Sequence, residues 1–273
     1  MIPSDLNFNN FRSGFVALIG RPNVGKSTWL NQVIGSKIAI TSPVAQTTRN
    51  RLKAILTNSK AQLIFVDSPG IHKPHHLLGE RLVNSSKKLI CNVDIVMLIL
   101  DASCLPGRGD MFIINLLRER NIPVIVALNK WDLVKESEQN KRFNSYKSFV
   151  GNANWEIFCC SSISGEGCCE LVDFLSGELP RGPKLYPENI LSDQSENMLY
   201  SELIREQVLL HTREEIPHSV AVTIDRIEET PSKKNKMANN LKTAILATVH
   251  VERKSQKGIL IGKGGSMLKK IGQ

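Results

Sequence analysis

The chain has 273 residues, of which 41% are hydrophobic and 22% charged, and its formal net charge is +9. No apolar stretch approaches the ~20 residues that a helix needs to cross a bilayer, and residues 1–11 show neither a signal-peptide nor a transit-peptide pattern. The six cysteines lack the spacing of a zinc site, so we expect reduced thiols in a cytoplasmic protein rather than a metal or disulfide framework.

The first 180 residues alternate between strand-like and helix-like segments, which is typical of a parallel sheet with crossover helices. The predicted strands cover residues 14–19, 37–41, 51–57, 61–67, 94–101, 122–129 and 155–161. The predicted helices cover residues 26–34, 77–91, 110–120, 136–150 and 170–179. Several strands are nearly continuous apolar runs, as expected for strands that helices cover on both faces.

The first predicted strand leads directly into GRPNVGKS, residues 20–27, which fits the pattern G-x-x-x-x-G-K-[ST]. The backbone N–H groups of such a loop bind nucleotide phosphates. Gly20 and Gly25 let the backbone approach the phosphates closely. Lys26 is predicted to reach the β- and γ-phosphates, and Ser27 to ligate Mg²⁺. The other predicted contacts of this loop are Arg21, Pro22, Asn23, Val24 and Thr28.

The turn DSPG, residues 67–70, follows the apolar strand at 61–67. Asp67 would place a carboxylate near the metal, and Gly70 would offer its N–H to a γ-phosphate oxygen. Ser68 and Pro69 complete the turn. Its distance from the phosphate loop favours a switch that responds to the γ-phosphate.

The sequence NKWD, residues 129–132, follows the apolar strand at 122–128. The Asp132 carboxylate can accept hydrogen bonds from guanine N1–H and the 2-amino group, which adenine cannot supply. Lys130 is expected to lie along the base beside Trp131, and Asn129 to tie this loop to the phosphate loop. The three motifs in this order predict a GTP-binding protein.

A second domain is predicted after the linker-like run LPRGPK at 179–184. Beyond it we expect a helix over 196–212, strands over 218–227 and 241–251, and a polar loop over 228–240. The predicted organisation is a nucleotide-binding domain at 1–180, a linker at 181–190 and a second domain at 191–273.

The second domain carries the strongest local charge, because residues 233–273 hold ten Lys or Arg and one acid. Such density favours a phosphate-rich partner. The sequence IGKGG also matches the G-x-x-G loop of a KH domain, which clamps about four unpaired nucleotides. The predicted RNA contacts are Ile261, Gly262, Lys263, Gly264 and Gly265.

Together these segments resemble the Era family, within the translation-factor-related GTPases. The resemblance runs from about Gly14 to the end of the chain, and DSPGIHKPHH is similar to cyanobacterial members. It rests on GRPNVGKST (20–28), SPVAQTTRNR (42–51), DSPGIHKP (67–74), NKWD (129–132), SSISG (161–165), LIREQVL (203–209), TREEIPHSVAV (212–222) and VERKSQKGILIGKGG (251–265).

The resemblance implies an α/β fold, with a P-loop GTPase domain of mostly parallel sheet and flanking helices, followed by a smaller type II KH α+β domain. Family members continue past the G-x-x-G loop with a further helix and a last strand, whereas this sequence ends at Gln273. We therefore expect a truncated and weakened KH domain.

The resemblance also assigns roles to matching residues. Thr47 and Thr48 would lie in the first switch, with Thr48 joining Ser27 and Asp67 around Mg²⁺. Ser161, Ser162 and Ile163 would back the guanine, although the family usually has Ala at 162, and the backbone N–H there is expected to suffice. The residues expected to act in hydrolysis are Lys26, Thr48, Asp67, Gly70 and Asn23, the last as a K⁺ ligand.

Ile71 stands where Ras-like proteins carry the Gln that orients water, so we expect slow intrinsic hydrolysis. The resemblance implies GTP/GDP, Mg²⁺ and K⁺ as cofactors, and ribosomal RNA and the small ribosomal subunit as partners. The protein would be a cytoplasmic monomer that associates peripherally with the inner membrane face. It would bind the 3′ end of 16S-type RNA and assist 30S assembly.

Two other interpretations stay open at this point. The chain could be a GTP-dependent RNA-binding module with negligible turnover, since Ile71 and the short second domain remove useful parts. It could also be a tRNA-modification GTPase of the MnmE group, which shares the paired threonines Thr47 and Thr48. The KH-type loop argues against the latter.

Overall fold

The computed structural model of the chain describes residues 10–44, 47, 51–71, 88–151, 153–231 and 241–273. Contacts divide the chain into two compact units. The first ends at Asp193, and the second comprises Gln194–Gln273 together with the short segment Ser42–Thr47. The predicted domain limits at 180 and 191 stay predictions. No helix in the described ranges has the length and apolar character needed to cross a membrane.

The first unit is built on a six-stranded sheet with the order β2-β3-β1-β4-β5-β6. Every neighbouring pair is parallel except β2 and β3, which run antiparallel. The strands are β1 (Arg12–Ile19), β2 (Leu52–Thr57), β3 (Ala61–Asp67), β4 (Ile95–Asp101), β5 (Val124–Asn129) and β6 (Glu156–Cys159).

Helices cover both faces of this sheet, so its central strands are buried on each side. Val16 and Leu18 of β1 pack on one face with Trp29, whereas Ala17 and Ile19 point to the other face. This alternation is the side-chain period of a strand. The helices are α1 (Lys26–Ile34), α2 (Arg108–Arg118), α3 (Glu136–Val150) and α4 (Cys168–Glu178).

Most predicted elements of this unit agree with the structure to within a few residues, and the limits of β3, α1 and α3 coincide with the prediction. The predicted strand at 37–41 is wrong. The Asn31 side chain accepts the N–H groups of Ile38 and Ala39 and donates to the Ala39 carbonyl at 2.8 Å. These bonds satisfy the backbone without a neighbouring strand. Most of the predicted helix at 77–91 lies outside the described residues.

The second unit is an α+β arrangement around a two-stranded antiparallel sheet. Its small core contains Val208, Ile216, Val220, Leu260 and Ile271. The elements are α5 (Glu196–His211), α6 (Ile216–Ser219), β7 (Val220–Pro231), β8 (Leu241–Val251), α7 (Lys254–Ile261) and α8 (Ser266–Ile271). Strand β7 continues to Pro231, so part of the predicted polar loop is strand. The weakness expected of this domain stays a prediction.

Helix α7 was missed by the sequence analysis. Its apolar residues are clustered at its end instead of recurring every three or four positions. Tertiary contacts hold the helix start: the Gln256 side chain accepts the Arg253 N–H at 3.0 Å and donates to Ser219 at 2.9 Å. Leu260 is buried in the small core.

We expect the substitution Gly167→Ala to destabilise the first unit by more than ~1 kcal/mol. Gly167 has φ +70°, and a Cβ there would lie 2.1 Å from the Cys159 carbonyl oxygen. Gly177→Ala, in the helix α4 that Gly167 directly precedes, is the matched control, because a Cβ there meets nothing within 4 Å. The control should be neutral or stabilising by up to ~1 kcal/mol. Urea unfolding measures both, and equal stability of the two variants would refute the strain argument.

Candidate nucleotide-binding site

Three loops meet at one edge of the first sheet. Strands β1, β3 and β5 end at Ile19, Asp67 and Asn129, and β1 runs parallel to β3 and β4, which in turn runs parallel to β5. The carboxyl ends of parallel strands share an edge, where ligands of open α/β sheets bind. The motifs predicted to bind phosphate, sense its γ-group and recognise guanine therefore lie side by side.

The phosphate loop is packed too closely for side chains at its two glycines. A Cβ on Gly20 would lie 2.4 Å from the Ile99 carbonyl oxygen, and one on Gly25 would lie 2.3 Å from Asn129 Nδ2. Gly25 has φ +97° and directly precedes α1. Asn23 is exposed and also left-handed, with φ +63°. The loop thus takes the tight path that glycine permits.

Lys26 is buried inside this loop. Its Nζ donates to the carbonyl of Arg21 at 3.1 Å and lies 3.4 Å from the carbonyl of Gly20. Burial lowers the pKa of Lys26, and the charge of Asp67 offsets part of that effect. An anionic ligand would supply the missing negative charge, as expected of a lysine that binds phosphate.

Ser27 and Asp67 lie together beside the lysine. The Ser27 hydroxyl donates to Asp67 Oδ2 at 2.8 Å, and the Asp67 side chain is fully buried. Hydroxyl and carboxylate oxygens are ligands that Mg²⁺ accepts, so this pair fits a magnesium site. Thr48, the third predicted ligand, lies outside the described residues.

The turn after β3 is fastened to the start of the phosphate loop. The Ile71 N–H donates to the Gly20 carbonyl at 3.0 Å, and the Ser68 hydroxyl donates to the Leu18 carbonyl at 2.8 Å. A Cβ on Gly70 would lie 2.6 Å from the backbone nitrogen of Pro22. Any displacement of this turn would therefore also move the phosphate loop.

Pro69 and Ile71 are buried, and the Ile71 side chain packs in the core on one face of the sheet. An aliphatic group in that position can neither donate to nor accept from a water molecule.

Asn129 links three segments of the site. Its amide Nδ2 donates to the Val24 carbonyl at 2.8 Å, and its Oδ1 accepts both the N–H and the hydroxyl of Ser162, at 2.9 and 2.7 Å. The predicted tie between Asn129 and the phosphate loop is present. The Ser162 hydroxyl also has a role that the sequence analysis did not anticipate, because it adds a second hydrogen bond to Asn129.

The rest of the guanine motif forms a short 3₁₀ turn, Trp131–Leu133. Lys130 is left-handed with φ +63°, and its Nζ lies 2.6 Å from Asp101 Oδ2. The Trp131 N–H donates to the Cys160 carbonyl at 3.1 Å. Asp132 is exposed, which leaves its carboxylate accessible to a base.

The loop after β6 forms another wall of the site. Ser161 is fully buried, and its Oγ accepts the N–H groups of Ile163 and Ser164. A cleft of about 620 Å³ lies between this loop and α1, within the size range of small-molecule sites. Its lining includes the predicted residues Thr28, Ser162 and Ile163, together with Asn31, Gln32, Gly35, Ser36, Lys37 and Thr41.

Two acidic residues of the site, Asp101 and Asp110, were not predicted from the sequence. Asp101 contacts Lys130, and Asp110 lies 2.7 Å from Nε of Arg21. No motif marks either residue. The one available signal was that Asp101 ends an apolar strand, at the sheet edge where the nucleotide motifs meet.

Two thiols near this site, Cys159 and Cys160, are poor nucleophiles. A hydrogen bond that the Cys160 thiol donates to Cys168, together with burial, raises the pKa of Cys160, and burial raises the pKa of Cys159 to about 11. All six cysteines are free thiols.

Two predicted elements belong to the second unit, and the first of them is Thr47. This residue is nearly buried, its hydroxyl donates to the Val44 carbonyl at 2.6 Å, and its own carbonyl accepts from Arg205. Both contacts lie within the second unit, so the expected role of Thr47 at the nucleotide stays a prediction.

The G-x-x-G loop between α7 and α8 is open to a ligand. Gly262, Gly264 and Gly265 have φ of +70°, +62° and +79°. A Cβ on Gly264 or Gly265 would meet nothing within 4 Å, and Lys263 and Ile261 are exposed. The surrounding cations are also exposed: Arg253, Lys254, Lys257, Lys269 and Lys270.

Comparison with known protein families gives two matches. The model described as 50S ribosome-binding GTPase matches residues 15–130, and the KH domain model matches residues 215–273. The GTPase Era of Crocosphaera subtropica is 52% identical over 262 residues, which cover 96% of this chain and 80% of that protein. The GTPase Era of a Nostoc species is 53% identical, covering 96% and 78%.

Solved structures agree with these matches. The crystal structure of Era with MgGDPNP and nucleotides 1506–1542 of 16S ribosomal RNA has a TM-score of 0.83 at 34% identity, covering 96% of this chain and 86% of that one. The crystal structure of an Aquifex aeolicus Era variant bound to GDP·AlF4⁻ has a TM-score of 0.85 at 35% identity, with the same coverage. The fold is a P-loop GTPase domain followed by a KH domain, and the chain belongs to the Era family of GTPases.

Proposed function

We propose that this chain is a GTP-hydrolysing switch that binds 16S-type ribosomal RNA near its 3′ end and assists assembly of the 30S subunit. The observation that carries the proposal is the Asn129 side chain, which joins the phosphate loop to the guanine loop in a chain that also has an open G-x-x-G loop. One part responds to a nucleotide, and the other is suited to single-stranded RNA.

The nucleotide would lie along the edge formed by the three loops. Lys26 and the N–H groups of the phosphate loop would hold the phosphates, and Asp132 would select guanine. Ser27 and Asp67 would hold Mg²⁺, which neutralises phosphate charge when bound. The N–H of Gly70 would sense the γ-phosphate, and Thr48 would join the metal ligands.

Hydrolysis would be slow without help, because the buried Ile71 side chain cannot orient water. We propose that K⁺ supplies the missing positive charge, with the exposed Asn23 amide among its ligands. A cation at this place would lie beside the phosphates held by the same loop.

The RNA would lie across the KH unit. The open glycines let a sugar-phosphate backbone approach closely, and Lys263 offers it a charge. A groove of about 520 Å³ opens between α7 and the segment after α5, lined by residues that include Arg213, Arg253 and Met267. The related Era structure with nucleotides 1506–1542 of 16S RNA supports this choice of ligand.

The finer aspects of the proposal follow from the family resemblance. The protein would act in the cytoplasm as a monomer, in ribosome biogenesis. Its exposed cations around the G-x-x-G loop would also attract anionic lipid, which is the physical basis for peripheral membrane association. The KH domain match over residues 215–273 favours this function over that of a tRNA-modification GTPase.

Guanine selection is tested by Asp132→Asn. The amide keeps an acceptor for N1–H but replaces the acceptor for the 2-amino group with an N–H donor, which opposes that amino group in guanine and can donate to the 2-oxo group of xanthine. We expect GDP affinity to fall about 100-fold, because one hydrogen bond to a charged group is lost and two N–H donors then face each other, and we expect XDP affinity to rise. Calorimetric titration with GDP, XDP and ADP measures this. Glu136→Gln, an exposed carboxyl-to-amide change in α3, is the control. Wild-type preference for ADP would refute the proposed function.

The potassium proposal is tested by GTP turnover in KCl and in NaCl. Wild-type protein should be at least about fivefold faster in KCl, the effect of ~1 kcal/mol on the barrier. Asn23→Gly should remove the difference. Glycine is the appropriate replacement because Asn23 has φ +63°, which alanine would adopt with strain. Equal wild-type rates in the two salts would exclude K⁺.

RNA binding is tested with an oligoribonucleotide of the 16S 3′ sequence at several salt concentrations, with GTP, GDP or no nucleotide. Affinity should fall steeply with salt, and Lys263→Asp should abolish binding, whereas Lys141→Asp on the exposed face of α3 should not. Anionic vesicles serve as the second probe. Vesicle binding with no RNA binding would contradict the RNA assignment.

A further inference from the structure

We propose that Asp101, the last residue of β4, and Asp110, in the first turn of α2, are positioning residues that hold the phosphate loop and the guanine loop in register. We name this pair the acidic brace. The inference rests on the proposed binding of GTP, and it assigns a role to a segment that contains none of the nucleotide motifs.

Asp110 anchors the phosphate loop from outside. Its side chain is fully buried, and its Oδ1 lies 2.7 Å from Nε of Arg21. Its Oδ2 accepts the Gly107 N–H at 2.9 Å, which closes the first turn of α2. A buried carboxylate is tolerated only when it is paired and hydrogen-bonded, and here Arg21 supplies the opposite charge and the Gly107 N–H supplies the hydrogen bond.

Arg21 connects Asp110 to Lys26. Its guanidinium is directed to Asp110, while its backbone carbonyl accepts from Lys26 at 3.1 Å. Helix α2 packs directly on the arginine, because a Cβ on Gly109 would lie 2.7 Å from Arg21 Cδ. The side chain of Arg21 therefore positions its own loop, a role that comes in addition to the nucleotide contact predicted for this residue.

Asp101 anchors the guanine loop in the same way. Its Oδ2 lies 2.6 Å from Nζ of Lys130, and its Oδ1 accepts the N–H of Ser103 at 3.0 Å. Burial alone would raise the pKa of Asp101, but the hydrogen bonds from Lys130 and Ser103 outweigh it and lower the pKa. Lys130 is two residues from Asp132, so this ion pair orients the motif that would bind the base.

The segment between the two carboxylates is itself held by α3. The buried Tyr146 hydroxyl lies 2.6 Å from the Asp101 carbonyl and 3.1 Å from the Cys104 carbonyl. Arg142 donates to the Ala102 carbonyl at 3.0 Å. Because this segment is fixed, its two ends can set the distance between the loops that would hold the phosphates and the base.

The two ends should affect catalysis differently. Lys130 would contact the base, which is remote from the reacting phosphate, so Asp101→Asn should raise KM for GTP about fivefold and leave kcat unchanged. Arg21 acts on Lys26, which would contact the γ-phosphate, so Asp110→Asn should raise KM and lower kcat about tenfold. A residue with only a structural role would not separate kcat from KM.

A double-mutant cycle tests the contact itself. Arg21→Gln combined with Asp110→Asn should cost no more than Asp110→Asn alone, because the two groups act as one pair. Arg21→Lys should recover part of the kcat lost in Arg21→Gln. The Asp110 carboxylate also closes the first turn of α2, so Asp110→Asn could prevent folding. In that case Arg21→Gln tests the same contact, because this substitution leaves the start of the helix intact.

Asp173→Asn on the exposed face of α4 is the matched control, and it should retain wild-type kinetics. Thermal unfolding without nucleotide checks that each variant is folded. Wild-type KM and kcat in both Asp101→Asn and Arg21→Gln would overturn the brace. Failure of wild-type protein to bind GDP would instead refute the proposed function, so the two outcomes are distinguishable.

Discussion

The buried amide of Asn129 is the contact on which the site depends. It donates to the phosphate loop at Val24 and accepts twice from Ser162, so one side chain sets the spacing of three loops. An amide is suited to this place because it donates and accepts through one rigid group. A Cβ on Gly25 would collide with this amide, which explains why the phosphate loop needs glycine there.

Buried charge is the second constraint on the architecture. Lys26, Asp67 and Asp110 are almost or completely inaccessible to solvent, and each would destabilise the fold if unpaired. Asp110 is paired with Arg21, whereas Lys26 is held by carbonyls and the nearby charge of Asp67. The buried charge of Lys26 therefore destabilises the fold until an anionic ligand binds, whereas the ion pair of Asp110 with Arg21 compensates its own buried charge.

The two units are suited to different kinds of ligand. The first keeps its ligand groups on the rigid edge of a sheet that is covered on both faces, which suits a small, highly charged ligand. The second presents open glycines and exposed cations on a small α+β unit, which suits an extended polyanion. A chain that contains both units has the parts that nucleotide-controlled RNA binding requires.

Residue types at fixed spacing were enough to predict the class of fold, most elements of the first unit, the three nucleotide motifs and the G-x-x-G loop. Contacts formed on folding explain two exceptions: residues 37–41 are not a strand because the Asn31 side chain bonds to the backbone of Ile38 and Ala39, and α7 forms because Gln256 and Leu260 contact distant residues. Tertiary structure also decided the partners of Arg21 and Lys130. Contacts between residues about 30 to 90 positions apart leave no periodic pattern in a chain, so only folding brings their carboxylates and cations together.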